Sequence, residues 1–154
     1  MHLIINTLLF ISTLFVSNLA LAAQPMVGDI DSATLLADYD AFSKEYKEFT
    51  VSDDEAALMQ KLEGKTLVVL FGTWCHDSER EVPRLLKLLA QSGVELAQLQ
   101  LVAVDYAKKD NKGLAQQFEL KYTPTFIVLD GDTEVARVIE KPEGSLAQAL
   151  TQFN

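Results

Sequence analysis

The chain contains one cysteine, Cys75, and the residues around it hold most of the reactive chemistry available: Trp74 before it, then His76, Asp77 and Ser78. A lone cysteine is ordinarily a small buried apolar residue. Its setting reverses that expectation. Leu67–Phe71 is an unbroken apolar run, which reads as a central strand covered on both faces. Gly72-Thr73-Trp74 turns out of it, and a helical pattern follows from His76 to Gln91, kinked by Pro83. Cys75 therefore stands past the carboxyl end of a strand, where α/β sheets place their sites. It also begins a helix, where free backbone N–H groups and the dipole favour an anionic sulfur. The thiolate is the form that attacks disulfides.

The neighbours act in opposite directions. Protonated His76 would favour the thiolate; the bland reading is an exposed polar residue in the first helical turn. Asp77, Glu79 and Glu81 suit the positive end of the helix, yet as negative charges they disfavour the thiolate. Ser78 either donates a hydrogen bond to the sulfur or fills space, and the sequence does not separate the two. Beyond residue 22, His76 is the only histidine. Adjacent helix residues do not share a site, so no metal is expected. No phosphate loop, Ser-His-Asp order or nucleotide fingerprint is visible, and no cofactor is expected.

The elements that must position Cys75 follow from periodicity and caps. Ala23–Ile30 reads as a linker. Asp31 or Ser32 caps a helix to about Glu48, striped by Leu35, Tyr39, Phe42, Tyr46 and Phe49. Phe49–Val51 is expected to be a short strand. Ser52 caps the helix Asp53–Leu62 with Glu55 in the capping-box position, and Gly64 ends it. Leu99–Val104 is the next strand, Asp105–Gly113 a polar loop and Leu114–Glu119 a short helix. Thr125–Leu129 and Glu134–Ile139 flank Asp130-Gly131, a hairpin signal. Ser145 caps a last helix. The expected fold is α/β: a mixed central sheet with helices on both faces and an extra N-terminal helix. The expected division is a signal at 1–22, a linker and N-terminal helix at 23–48, and a domain at 49–154.

Four features in order carry a resemblance. Leu67 to Ser78 resembles the strand and Trp-Cys-x-x-Cys loop of the thioredoxin family. Pro83, eight residues past Cys75, matches the kink proline of that family's active-site helix. Tyr122-Thr123-Pro124-Thr125 resembles its cis-proline loop, and the Asp130-Gly131 hairpin with the terminal helix also fits. The resemblance spans roughly Phe49 to Phe153 and implies a thioredoxin-like fold with thiol-disulfide exchange. By the same likeness Pro124 lies against the reactive sulfur, while Trp74, His76 and Thr123 contact substrate.

Two departures redirect the mechanism. Ser78 stands where the family has its second cysteine, and Val69, six residues before Cys75, stands where it keeps a buried acid. In the family that acid moves a proton from the second thiol; without that thiol, a buried carboxyl would be costly and idle. The implied activity is monothiol exchange, of redox, isomerase or mixed-disulfide type, through Cys75. The alternative is a thioredoxin-fold binding or chaperone-like module in which Cys75 is incidental.

Leu3–Ala22 has no charged side chain and ends in Ala20-Leu21-Ala22, the form of a cleaved secretory signal. Met1-His2 lacks Lys or Arg, and an uncleaved segment would be a membrane anchor, since the apolar run approaches the roughly 20 residues of a span. Asn6, Thr7, Ser12, Thr13, Ser17 and Asn18 argue for cleavage. The expectation is export to the periplasm. The net charge of −9 is unchanged by cleavage and disfavours nucleic acid. The expected partners are protein or small-molecule thiols and disulfides.

Overall fold

The computed structural model describes residues 24–153; the expected signal segment at 1–22 lies outside the described residues. Five strands make one sheet: β1 (Gly28–Asp29), β2 (Thr66–Phe71), β3 (Gln98–Ala103), β4 (Thr125–Asp130) and β5 (Thr133–Ile139). Their order across the sheet is β1-β3-β2-β4-β5. The β2–β3 pair is parallel, and the other three pairings are antiparallel. The mixed sheet expected from strands alternating with helices and then a hairpin is therefore present.

Among the described residues six α-helices accompany it: α1 (Ser32–Asp38), α2 (Asp40–Glu48), α3 (Asp53–Met59), α4 (His76–Ser92), α5 (Leu114–Gln117) and α6 (Leu146–Leu150). Helices α3 and α6 begin with capping boxes, Ser52 with Glu55 and Ser145 with Gln148, which satisfy N–H groups that the helix leaves open. Gly93 closes α4 in the left-handed region at φ 65°, where a side chain would be strained.

The core is asymmetric. The larger cluster lies on one sheet face, where Val69, Phe71, Leu101 and Phe126 meet Leu35, Phe42, Met59, Leu85 and Leu150 from α1–α4 and α6. The other face buries Val68, Leu70, Val102 and Ile127 under α5 and its flanks, with Leu114, Phe118 and Leu120 packed on them. Helices cover both faces, unequally.

Three expected elements differ. The helix expected from Asp31 to Glu48 is two, divided at Tyr39, whose φ of −123° and ψ of 99° are extended. The apolar stripe survives the break because the bend lets Leu35 and Phe42 reach one core, with Phe42 in edge contact with Phe71 (5.9 Å between centroids). The expected strand at Phe49–Val51 is absent. A strand needs a neighbour, and the sheet ends at β1 and β5, so Phe49 and Val51 pack on the core instead. Within the stretch read as a linker, Gly28–Asp29 joins the sheet antiparallel to β3.

Candidate active site

Strand β2 runs into the site through Phe71-Gly72, and the next residues fold back on themselves. The Trp74 ring lies over Gly72 so closely that a Cβ there would fall 2.6 Å from Trp74 Cε2. Only glycine permits this approach. The indole N–H donates to the Val104 carbonyl at 3.0 Å, and Tyr106 stands against the ring at 5.0 Å between centroids. Trp74 is thus fixed from three sides: by its own turn, by the end of β3 and by the following loop.

Cys75 is the N-cap residue of α4, yet its side chain makes no capping bond. The sulfur instead donates to the Thr123 carbonyl, with Sγ 3.1 Å from the oxygen. A carbonyl only accepts, so this contact belongs to the S–H form, and attack on a disulfide requires it to be given up. The sulfur of the half-buried Cys75 thus faces the Thr123–Pro124 loop rather than the helix N–H groups. The Thr123–Pro124 peptide is cis, and both residues are buried. The Thr125 hydroxyl donates to Tyr122 O (2.8 Å), while Pro124 O accepts from Glu140 N–H (2.7 Å). The loop is held from both ends.

The remaining expected site residues are distributed as follows. Ser78 is fully buried, and its hydroxyl oxygen accepts the Gly72 N–H at 3.3 Å, tying the first turn of α4 to the end of β2. Among the described residues no hydrogen bond joins Ser78 to Cys75. His76 is largely exposed, with Nδ1 3.6 Å from the Glu79 carboxylate. Val69 is fully buried in the larger core, so the position six residues before Cys75 is apolar.

Electrostatics are concentrated on the flank of α4. Glu81 is only 3% exposed, and its Oε1 receives Arg80 Nε at 2.7 Å with Arg84 at 3.8 Å. Arg84 also reaches Glu45 of α2 at 2.6 Å, and Arg80 reaches Asp77 at 3.0 Å. The hydrogen bond to Glu81 raises Arg80 above the ordinary guanidinium range, against the opposing effect of burial. Both guanidiniums are occupied by these carboxylates. Among the described residues no group of His, Cys, Asp and Glu could hold a metal ion, and no helix is long and apolar enough to cross a membrane.

Tyr106 and Gly72 were not singled out by sequence reasoning. The signal for Tyr106 was an aromatic in an otherwise polar loop; for Gly72, it was a glycine directly before the Thr-Trp-Cys turn.

A family model described as thioredoxin matches residues 30–152. The chain belongs to the thioredoxin family. The fold has solved counterparts. One is a protein of unknown function from Pseudomonas aeruginosa, at TM-score 0.57 and 17% identity over 78% of this chain and 76% of that one. Another is an HIV epitope-scaffold, at TM-score 0.56 and 16% identity over 77% and 78%. Thioredoxin from Fasciola hepatica matches at 23% identity over 66% of this chain and 92% of its own, with TM-score 0.45. Among curated proteins nothing matches. Family membership supports a thiol-redox type of function in general terms.

Proposed function

We propose that this thioredoxin-family protein carries out monothiol exchange through Cys75 as an exported, periplasmic protein. The observation that carries the reading is the sulfur's position, at the head of α4 and in contact with the Thr123 carbonyl of the Pro124 loop, with Ser78 where a resolving thiol would be. In the forward step the Cys75 S–H gives its proton to solvent. The resulting thiolate attacks one sulfur of a substrate disulfide, forming a Cys75–substrate disulfide while the other sulfur leaves as a thiolate. Release requires a second thiol from solution or from the substrate itself. The second of these rearranges the substrate's disulfides with no net change in oxidation. Thr123 borders the sulfur, Trp74 precedes it in the turn, and the substrate's backbone meets the loop that Pro124 shapes.

Insulin reduction with dithiothreitol tests this. The wild type is expected to turn over little, Cys75→Ser not at all, and Ser78→Cys to gain only part of a dithiol activity, because Val69 offers no acid to the new buried thiol. Wild-type turnover equal to that of a dithiol thioredoxin would sink the reading. One observation favours the alternative of a non-covalent binding or chaperone-like module: among the described residues no side chain hydrogen-bonds to the sulfur. Mixed disulfides trapped on Cys75 from the native compartment decide for exchange; binding of partners unchanged in Cys75→Ala decides for the module.

A further inference from the structure

Strand β1 covers only the end of β3. Its two residues pair with Ala103 and Val102, and Ile30 N–H adds a bond to the Leu101 carbonyl (3.1 Å) before the chain turns into α1. Among the described residues Gln98–Gln100 remain as an open edge. Successive residues in a strand direct their backbone groups to opposite sides. Leu99 therefore presents its N–H and C=O on the same side as the Leu101 carbonyl, away from β2. The far edge of the sheet is treated differently. Strand β5 carries the Arg137–Glu134 ion pair (2.6 Å), and its register shifts at Val128/Leu129; charges and irregularities of this kind discourage edge pairing. Gln98 to Leu101 contains neither a charged residue nor a proline.

A cleft of about 500 Å³ borders this edge, with Ile30, Leu99 and Leu101 among its apolar lining and Asp31 and Asp38 among its polar lining. Among the described residues no lysine, arginine or histidine lines it. The Asp31 carboxylate accepts from the Thr34 hydroxyl (2.7 Å) and amide (2.9 Å), and the hydroxyl bond foremost holds its pKa below the ordinary range, so it carries full charge.

We propose that the β3 edge at Gln98–Gln100 docks an extended segment of another polypeptide in which apolar residues alternate with lysine or arginine. The segment adds a strand, and its backbone pairs with Leu99. Its lysine or arginine side chains lie on the cleft face, with their stems along Leu99 and Leu101 and their cations toward Asp31 and Asp38. The alternate apolar side chains fall on the opposite face of the sheet. The surface sits at the start of β3, whereas Cys75 lies past the end of the parallel β2. That separation is about 20 Å at strand rise, so docking leaves the thiol free.

The test uses the isotope-labelled full chain and the peptide acetyl-(Lys-Val)₃-amide, with backbone amides followed by NMR. The expected result is saturable shifts confined to Gln98–Leu101 and the α1 start, with slowed exchange of the Leu99 amide. The variant Asp31→Asn/Asp38→Asn, in which asparagine keeps the helix cap, is expected to bind about fivefold more weakly, as for two exposed ion pairs. Three results overturn the proposal. One is equal binding of acetyl-(Glu-Val)₃-amide or of the blocked peptide acetyl-Lys₃-Val₃-amide. Another is shifts located on β5, or none at millimolar peptide. The third is the same Gln98–Leu101 shifts appearing with protein concentration alone, which would make a second copy of the chain the occupant.

Discussion

At the position of Ser78 two roles were open from sequence, and the hydroxyl takes the structural one. It accepts the Gly72 amide and leaves Cys75 bonded to a backbone carbonyl contributed 48 residues later. The same few residues fix Trp74, and here the tolerance is smallest. Gly72→Ala would put a methyl group 2.6 Å from one indole carbon and 2.9 Å from two more atoms of the ring. Backbone and ring cannot both stay, so the indole is expected to leave its bond to Val104. The expected cost is about 1–3 kcal/mol, the usual range for overpacking. Urea denaturation measures it, and tryptophan emission reports the freed ring, since this is the chain's single tryptophan. Unchanged emission and stability would refute the packing argument. Cys75 and Pro124 were legible because their residue types are chemically distinctive. Tyr106 was not, because an exposed aromatic in a loop acquires meaning only from the ring it touches.

At the scale of elements, the loop between β3 and α5 has no regular structure to hold it and depends on two aspartates. Asp105 accepts the Lys109 amide, and Asp110 accepts the amides of Lys112 (2.8 Å) and Ala115 (2.7 Å). Partial burial works to raise the Asp110 pKa, but these backbone N–H bonds outweigh it and leave the carboxyl below its ordinary value. A depressed carboxylate contributes stability above its unfolded pKa, near 3.9, and loses it as pH falls through the lower folded value. Wild type is therefore expected to lose the Asp110 contribution only below about pH 4. Asp110→Asn should be less stable at pH 7 by about 1 kcal/mol and have a shallower acid slope, measured by chemical denaturation across pH. Equal slopes would show that Asp110 is not the acid-sensitive group.

Helix starts were largely readable, because a cap and its partner are three residues apart: Ser52 with Glu55, Ser145 with Gln148. Strands β2, β4 and β5 were readable from apolar runs and the Asp130-Gly131 turn. The break at Tyr39 and the strand Gly28–Asp29 were not. The first arises from where α2 must lie against α4, and the second from the presence of Ala103 and Val102 beside it.

The whole molecule has one dominant core, and the N-terminal helices are part of it. Leu35 and Phe42 are fully buried beside Phe71, Val82 and Leu85. The Glu45–Arg84 ion pair and Arg84 over the Phe49 ring (5.1 Å) fasten α2 and its end to α4, the helix that carries Cys75. Phe42→Ala is expected to cost about 3–5 kcal/mol, since the ring is fully enclosed in the core. Thermal and urea unfolding of the single variant measure this. A cost below about 1 kcal/mol would place α2 outside the cooperative unit.

What the sequence determined by itself is local: the caps, the apolar strands, the hairpin, the kinked helix behind Cys75, and the absence of any second thiol. These depend on neighbours a few residues apart, which periodicity and residue type record directly. What only the tertiary structure decided spans long separations. Cys75 meets Thr123, Trp74 meets Val104 and Arg84 meets Glu45 at 48, 30 and 39 residues apart. The open edge at Gln98–Gln100 likewise exists only because β1 ends after two residues and the chain turns away. No spacing in the sequence encodes such contacts, since a closed loop costs little more when it is longer. Packing of the whole sheet selects among them.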